Sequence, residues 1–581
     1  NTAIGYESLK TLNAGADAHN TAVGFRSGLL VSTGQSNTLI GALAGDAITT
    51  GSENTAVGYR ALSTEDGNGL NTAIGVDSLM TQNAGANAYN TAVGYHSGKL
   101  VTTGVQNTLI GGLAGDALTD ADNNVAIGKS AMTTNQLGSD SVAVGTFALN
   151  SMNPASAVSM HNVAVGHNAG AAVTTGTLNT LIGSLAGDAI TTANSNVAIG
   201  KSALSTDTKG DNSVAIGENA LLTQNFTSST DSYNVAVGSN AGRAVTTGQS
   251  NTLIGGLAGD AITTGGSNTF VGYNSGHVES TGANNVIIGQ AGQAQTLTND
   301  TVAVGDGALQ TNTKSAKNTA IGRSALRNLN HTSATDGHNT ALGFNAGLAM
   351  TTGDSNTLIG SLSGDAITTG AKNVALGRAA LGANTAGNKT VAIGMEALAS
   401  QNITSDGDSF NTAVGYQAGT AVTTGVQNVL IGGEAGDALT DADFNVAMGV
   451  SALGSDTLGS RNTAIGHGSL ATHNVSSAAN TYNTAVGFHA GVAVTTGTLN
   501  TLIGGLAGDA LTTGASNVAV GYAALSAEDA HGLNVAIGTN ALGALNAGAN
   551  AFNVAVGHDA GTGVTTGIQN TLIGGLAGDA L

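Results

Sequence analysis

Eight aspartates stand in one setting, the tripeptide G-D-A: Asp46, Asp116, Asp188, Asp260, Asp365, Asp437, Asp509 and Asp579. An acid that recurs beside glycine suggests calcium, which takes roughly six to eight oxygen ligands. Successive copies lie four or more repeat units apart, about 19 Å or more if the units stack as strands. One chain does not gather them. Calcium-binding nonapeptide arrays carry an Asp in every repeat, and this chain does not. The G-D-A acid therefore reads as a turn residue kept out of the core.

A second pattern is Thr-Thr-Gly, as in Thr102-Thr103-Gly104 and Thr263-Thr264-Gly265. A threonine array on a flat face could match an ice lattice. Stretches such as TLNAG and STEDG interrupt it, so the reading is β-propensity followed by a turn. The loops also hold Asn225-Phe226-Thr227, Asn330-His331-Thr332, Asn402-Ile403-Thr404 and Asn474-Val475-Ser476. These match the glycosylation acceptor pattern, weakly in a chain so rich in Asn and Thr. The 12 His and 36 acids form no HExxH, and no Cys–His set is possible without cysteine. Nucleophile-elbow, GxGxxG and P-loop patterns are absent as well. No enzyme and no cofactor are expected.

The composition points the same way. The 581 residues include 88 Gly, one Pro, no Cys and no Trp, with 3% aromatic and 9% charged residues. A globular core is usually anchored by large rings; here Ala, Val, Ile and Leu supply the apolar fraction. That suits a thin core repeated many times. The net charge of −20 is spread along the chain. It disfavours nucleic acid, which needs clustered Lys and Arg. No apolar run approaches the ~20 residues of a membrane helix. The chain opens on Asn1 and stops at Leu581, both in mid-pattern, as a window cut from a longer periodic protein would.

The pattern is a pentad, [N/S/T]-[T/V]-x-[aliphatic]-G, repeated 33 times from Asn1, Asn20, Asn37, Asn54 and Asn71 to Asn570. Asn holds position one except at Ser141, Ser213, Thr301 and Thr390, and Gly holds position five throughout. Position eight is nearly always Ala or Ser. Coils come in fours, one of 19 to 21 residues followed by three of 17; a 16-residue coil from Asn285 breaks the order. Gly, Thr and Asn at every turn oppose helix. The pentad alternates in a period-2 sense, and 17 residues are too few for strand–helix–strand. The expected fold is an all-β parallel β-solenoid of about 33 coils of 16–21 residues in four-coil super-repeats. Segments 1–284 and 318–581 are regular, and 285–317 is a two-coil insertion. Stacking at about 4.8 Å gives a rod of roughly 160 Å. Ile and Val ladders are expected to fill its interior. Gly5, Gly24, Gly41, Gly58 and Gly75 form a column that admits close approach of another strand. Asn1, Asn20, Asn37, Asn54 and Asn71 form a side-chain amide ladder.

Positions six and seven vary most and are expected to face outward as a surface-recognition strip: Tyr6, Arg26, Tyr95, His96 and His489. Each long coil ends in a ring (His19, Tyr89, His161, Tyr233, His338, Phe410, Tyr482, Phe552), expected to pack over a loop base.

The NTAVG and NVAIG pentads, with a small residue three places on, resemble the YadA-like head repeats of trimeric autotransporter adhesins; similar repeats occur in phage tail fibres. The resemblance runs through all 33 pentads. It implies a left-handed β-roll, a homotrimer and no catalytic residue. The coils here are longer than the short head repeat, the four-coil order is unusually regular, and no neck, stalk or anchor is present in the sequence. The expected function is a non-catalytic extracellular structural fibre with an adhesin-like surface, at a cell or virion surface, contacting a receptor or glycan. The alternatives are a phage tail fibre for host attachment and a calcium-, glycan- or ice-binding solenoid.

Overall fold

A computed structural model describes residues 1–15, 17–296 and 298–581. They fall into two compact units, Asn1–Ile288 and Gly289–Leu581. Both are parallel β-solenoids, and no α-helix occurs among the described residues. Each pentad contributes one three-residue strand, from Thr2–Ile4 to Val286–Ile288 in the first unit and Val302–Val304 to Thr571–Ile573 in the second. Within a unit each strand pairs with the next in parallel and without slip: Thr21 opposite Thr38, Thr38 opposite Thr55, Thr55 opposite Thr72. Some long coils add a second two-residue pairing, as Gly138–Ser139 with Val158–Ser159.

The asparagine column fixes this register. Asn251 Oδ1 accepts the backbone N–H of Asn268 in the next rung at 3.1 Å. Its Nδ2 donates to Gly265 O at 3.0 Å, near the end of its own coil, and to Asn234 Oδ1 at 3.2 Å. Asn20 repeats the scheme, with Nδ2 on Gly34 O and Oδ1 accepting Asn37 N–H. One buried amide thus closes its own coil and seats the next. The ladder's vertical links are side-chain oxygen to backbone N–H and, at rungs such as Asn20–Asn37 and Asn234–Asn251, amide to amide as well. Where Ser141 replaces Asn, its hydroxyl takes the Asn162 N–H at 3.3 Å.

The interior is lined by the central residue of each pentad, which corrects the expectation of Ile and Val ladders inside. Ala22, Leu39, Ala56 and Ala73 have no exposed surface, whereas Ile40 is 39% and Ile110 37% exposed. Both sets are apolar, so alternation could not say which one faced in. Asn at position one and the central residue share the inner face because they are two apart. The core is completed by Val31, Ile48, Val101 and Leu118. Size is exchanged between rungs: Leu39 lies where Cβ atoms on Gly28 and Gly45 would be, and Leu109 does the same for Gly98 and Gly115.

The position-five glycines stack on one another. A methyl on Gly5 would strike the carbonyl of Gly24, and one on Gly24 the carbonyl of Gly41, at φ of +130° and +142°. Close approach is therefore to the next rung of the same chain. Left-handed backbone is not confined to glycine. The last residue of a coil (Tyr89, φ 54°) adopts it throughout, and position seven (Arg26, φ 55°) does so except at Ala291 in the 16-residue coil. Many of these turns are held by a rung bond, as Arg26 N–H to Tyr6 O at 2.8 Å and Gln106 N–H to Ala88 O at 2.7 Å.

Two outcomes are expected. Asn251→Ala leaves buried groups on Asn268 and Gly265 without partners, a loss of about 3 kcal/mol. Amide hydrogen exchange in the rungs it joins then quickens by about a hundredfold. Gly432→Ala strikes the Gly449 backbone and disrupts its rung, while the adjacent Gly433, with open space around its Cβ position, accepts alanine with no change in thermal stability.

Candidate interaction face

Alternation that turns Asn and the central residue inward turns positions two, four and six outward. Position two is Thr or Val and position four Ile, Val, Leu or Met, so the outer sheet face carries two continuous columns of β-branched and aliphatic side chains. Both are half-buried to exposed along each unit. Position six, beyond the turn at glycine, is solvent-facing: Tyr6, Phe25, Tyr59 and Tyr95 are all exposed. Position seven lies beside it, half-buried.

The expected strip residues sit as follows. Tyr6 stacks on Phe25 with centroids 5.5 Å apart, and Arg26 lies over the Phe25 ring at 5.2 Å. Arg26 Nε donates to Glu7 Oε2 at 2.9 Å. The hydrogen bond from Lys10, with that from Arg26, holds the Glu7 carboxyl below its usual range. Tyr95 stacks on His96 at 3.7 Å, and His96 Nε2 is 3.2 Å from Asp77 Oδ2. Arg60 grips Asp77 with two bonds, of 2.9 and 2.8 Å. Tyr6, Arg26, Tyr95 and His96 therefore share one ribbon of rings and planar charged groups. His489 belongs to the second unit, where it stacks on Phe488 at 3.9 Å and lies 5.4 Å from His467.

The rings that end the long coils do not pack over a loop base. Tyr89, Tyr233, Phe410, Tyr482 and Phe552 are exposed, about half of each side chain meeting solvent. Their left-handed backbone sits one residue before the inward Asn, which turns the side chain out. The acceptor-pattern asparagines have a structural use that motif reading missed. Asn225, Asn330, Asn402 and Asn474 each accept, through Oδ1, a threonine hydroxyl of the preceding coil (Thr208, Thr313, Thr385, Thr457) at 2.7–3.0 Å.

Each G-D-A aspartate occupies its own rung. Asp46, Asp116, Asp188 and Asp509 each have one buried carboxylate oxygen with no partner. Burial pushes these carboxyls up from the usual aspartate range. At Asp260 the corresponding oxygen meets His277 Nδ1 at 2.6 Å. In the Thr-Thr-Gly runs the first hydroxyl bonds along the stack, as Thr102 Oγ1 to Thr119 O at 3.1 Å. Among the described residues one group of three potential metal donors is found, Glu528, Asp529 and His531. The buried Glu528 carboxylate caps its own turn, accepting the His531 backbone N–H at 3.1 Å, as Glu65 does for Asn68 at 3.0 Å. No helix of the described residues is long and apolar enough to cross a membrane. Compared with known proteins, the chain matches no family model and no curated protein.

The aspartate column yields a pH dependence with a definite sign. A carboxyl whose folded pKa is raised favours the fold most below its unfolded pKa, and that contribution is lost as pH rises through the folded value. Asp188→Asn is therefore expected to raise the melting temperature at pH 7. The gain should vanish as the pH falls below the ordinary aspartate value, in paired calorimetric scans at pH 7 and pH 3.

Proposed function

We propose that the chain is the shaft of a non-catalytic extracellular fibre, three copies of a left-handed roll packed side by side and displaying an adhesin-like repeated surface. The observation that carries the reading is the outward Ile/Val column. Ile40, Ile110, Ile182 and Ile254 are each between 37 and 39% exposed in the single chain, in equivalent places of successive copies. A contiguous apolar face on a soluble protein marks a surface for a partner. A column that repeats rung by rung is best covered by another with the same spacing, which a sister copy supplies. The four-coil super-repeat then acts as a packing unit, with Leu at position three of one coil (Leu39) and at position nine of others (Leu62, Leu79) taking turns to fill the interior.

Several features support a mechanical and multivalent role. Each unit offers rows of similar groups in place of the convergent, unlike groups of a catalytic pocket. Weak contacts in a row gain strength through effective concentration. The net charge of −20 keeps such shafts from clumping sideways. The extracellular placement, at a cell or virion surface, rests on the resemblance of the pentads to adhesin heads.

Sedimentation equilibrium of the full chain tests the assembly. The expected mass is that of three 56.2 kDa chains. Ile110→Glu combined with Ile182→Glu is expected to release monomers with unchanged far-UV circular dichroism. A wild-type monomer at micromolar concentration overturns the trimer.

A further inference from the structure

The ring column has a spacing of its own. In the first unit position six reads Phe25, Ala42, Tyr59, Val76, Tyr95 on five consecutive rungs paired in register. In the second unit it reads Phe488, Gly505, Tyr522, Thr539, His558, again on consecutive registered rungs. In both, an exposed ring alternates with a smaller residue. Within these stretches rings recur every two rungs, about 10 Å apart; one further ring lies a single rung before each, Tyr6 on Phe25 at 5.5 Å and His467 on Phe488 at 5.6 Å. The residue at the intervening rung is small: a Cβ on Gly505 would meet nothing nearer than the edge of the Tyr522 ring, at 3.6 Å.

Beside each ring column position seven carries planar polar groups on some rungs, interrupted by Leu43 in the first unit and by Leu506 and Ala523 in the second. In the first unit it holds Arg26, Arg60, Asp77 and His96, joined by the Arg60–Asp77 and His96–Asp77 contacts. In the second, Asn540 Nδ2 donates to Asp559 Oδ1 at 2.9 Å. Rings beside planar donors and acceptors form the surface that sugars recognise. The C–H face of a pyranose packs on a ring, and its neighbouring hydroxyls bond carboxylate, amide or guanidinium groups. In an extended β-1,4-linked glycan each sugar is turned over relative to the last, so equivalent faces recur once per disaccharide. That repeat is close to two rungs.

We infer that each of these two ring tracks binds a linear, neutral β-1,4-linked polysaccharide lying along the solenoid axis, one disaccharide per ring. The inference deepens the fibre reading, since it rests on the outward strip being a contact surface. The acidic chain repels polyanions, so the ligand is uncharged. Each ring contributes little alone, and three in a row give useful affinity.

Isothermal titration of the full 581-residue chain with cellohexaose, chitohexaose and maltohexaose is the test. Binding of at least one β-linked hexaose is expected, with none of the α-linked maltohexaose. Tyr59→Ala combined with Tyr522→Ala should weaken binding about tenfold or more, while Tyr59→Phe combined with Tyr522→Phe retains it. These side chains are exposed, and circular dichroism of each variant verifies the fold. Failure of both β-linked sugars to bind, equal binding of maltohexaose, or an alanine double variant that binds like wild type overturns the inference. Mass measured on the same sample separates the two claims: a trimer that binds no β-linked sugar leaves the fibre reading standing, and a monomer that binds one leaves this inference standing.

Discussion

Every coil must return its backbone to the same point, one strand spacing along, and the buried asparagine amide enforces this. Its oxygen seats the next rung while its nitrogen ties down the end of its own. A coil that ran one residue long or short at that point would leave two buried backbone groups without partners and turn every side chain to the wrong face. In the 17-residue coils Nδ2 reaches a carbonyl fourteen residues on in the same coil, as Asn20 to Gly34 and Asn234 to Gly248; where a long coil begins it turns back to a carbonyl just before it, as Asn71 to Gly69, Asn318 to Ser315 and Asn534 to Gly532. Serine and threonine at the four exceptional positions keep a hydroxyl there, so polarity at position one is preserved even where the amide is not.

From that register the rest follows. Glycine at position five is fixed by contact with the glycine beneath it and by a φ that side chains avoid. The narrow interior admits Ala beside Leu or Leu beside Gly, and size is traded between rungs so that the stack stays filled. The outer face inherits the leftover columns. One is Thr or Val and one aliphatic, both half-buried to exposed; the third carries rings and charged groups and faces solvent. The continuous stack and its repeated outer columns are thus products of one constraint.

Much of this was legible in the sequence. The pentad fixed the period, the all-β class, the strand positions and the stacking of equivalent residues. Which face lay inside was not legible, because Ala or Leu at position three and Ile or Val at position four are both apolar, and period-2 alternation has no sign when both faces are greasy. The burial of Asn at position one settles it, since polar Asn and the central residue share a face. The left-handed corners did leave a trace. No Val, Ile or Thr occurs among the non-glycine residues with positive φ, in a chain where these types abound. β-Branched side chains are the ones that conformation excludes. The exclusion would also have placed Tyr89 and its counterparts at a corner, facing out. The G-D-A acids suggest ligands by type, but their spacing reads as that of turn residues; their partial burial beside a turn depends on how the coil closes, which no single repeat reveals.

X-ray fibre diffraction from aligned protein tests the registered stack most directly. A sharp meridional reflection near ~4.8 Å is expected, since within each unit every pentad strand pairs with the next at that spacing. A pattern dominated by a ~5.4 Å helical reflection, or isotropic scatter with no meridional spacing, contradicts it.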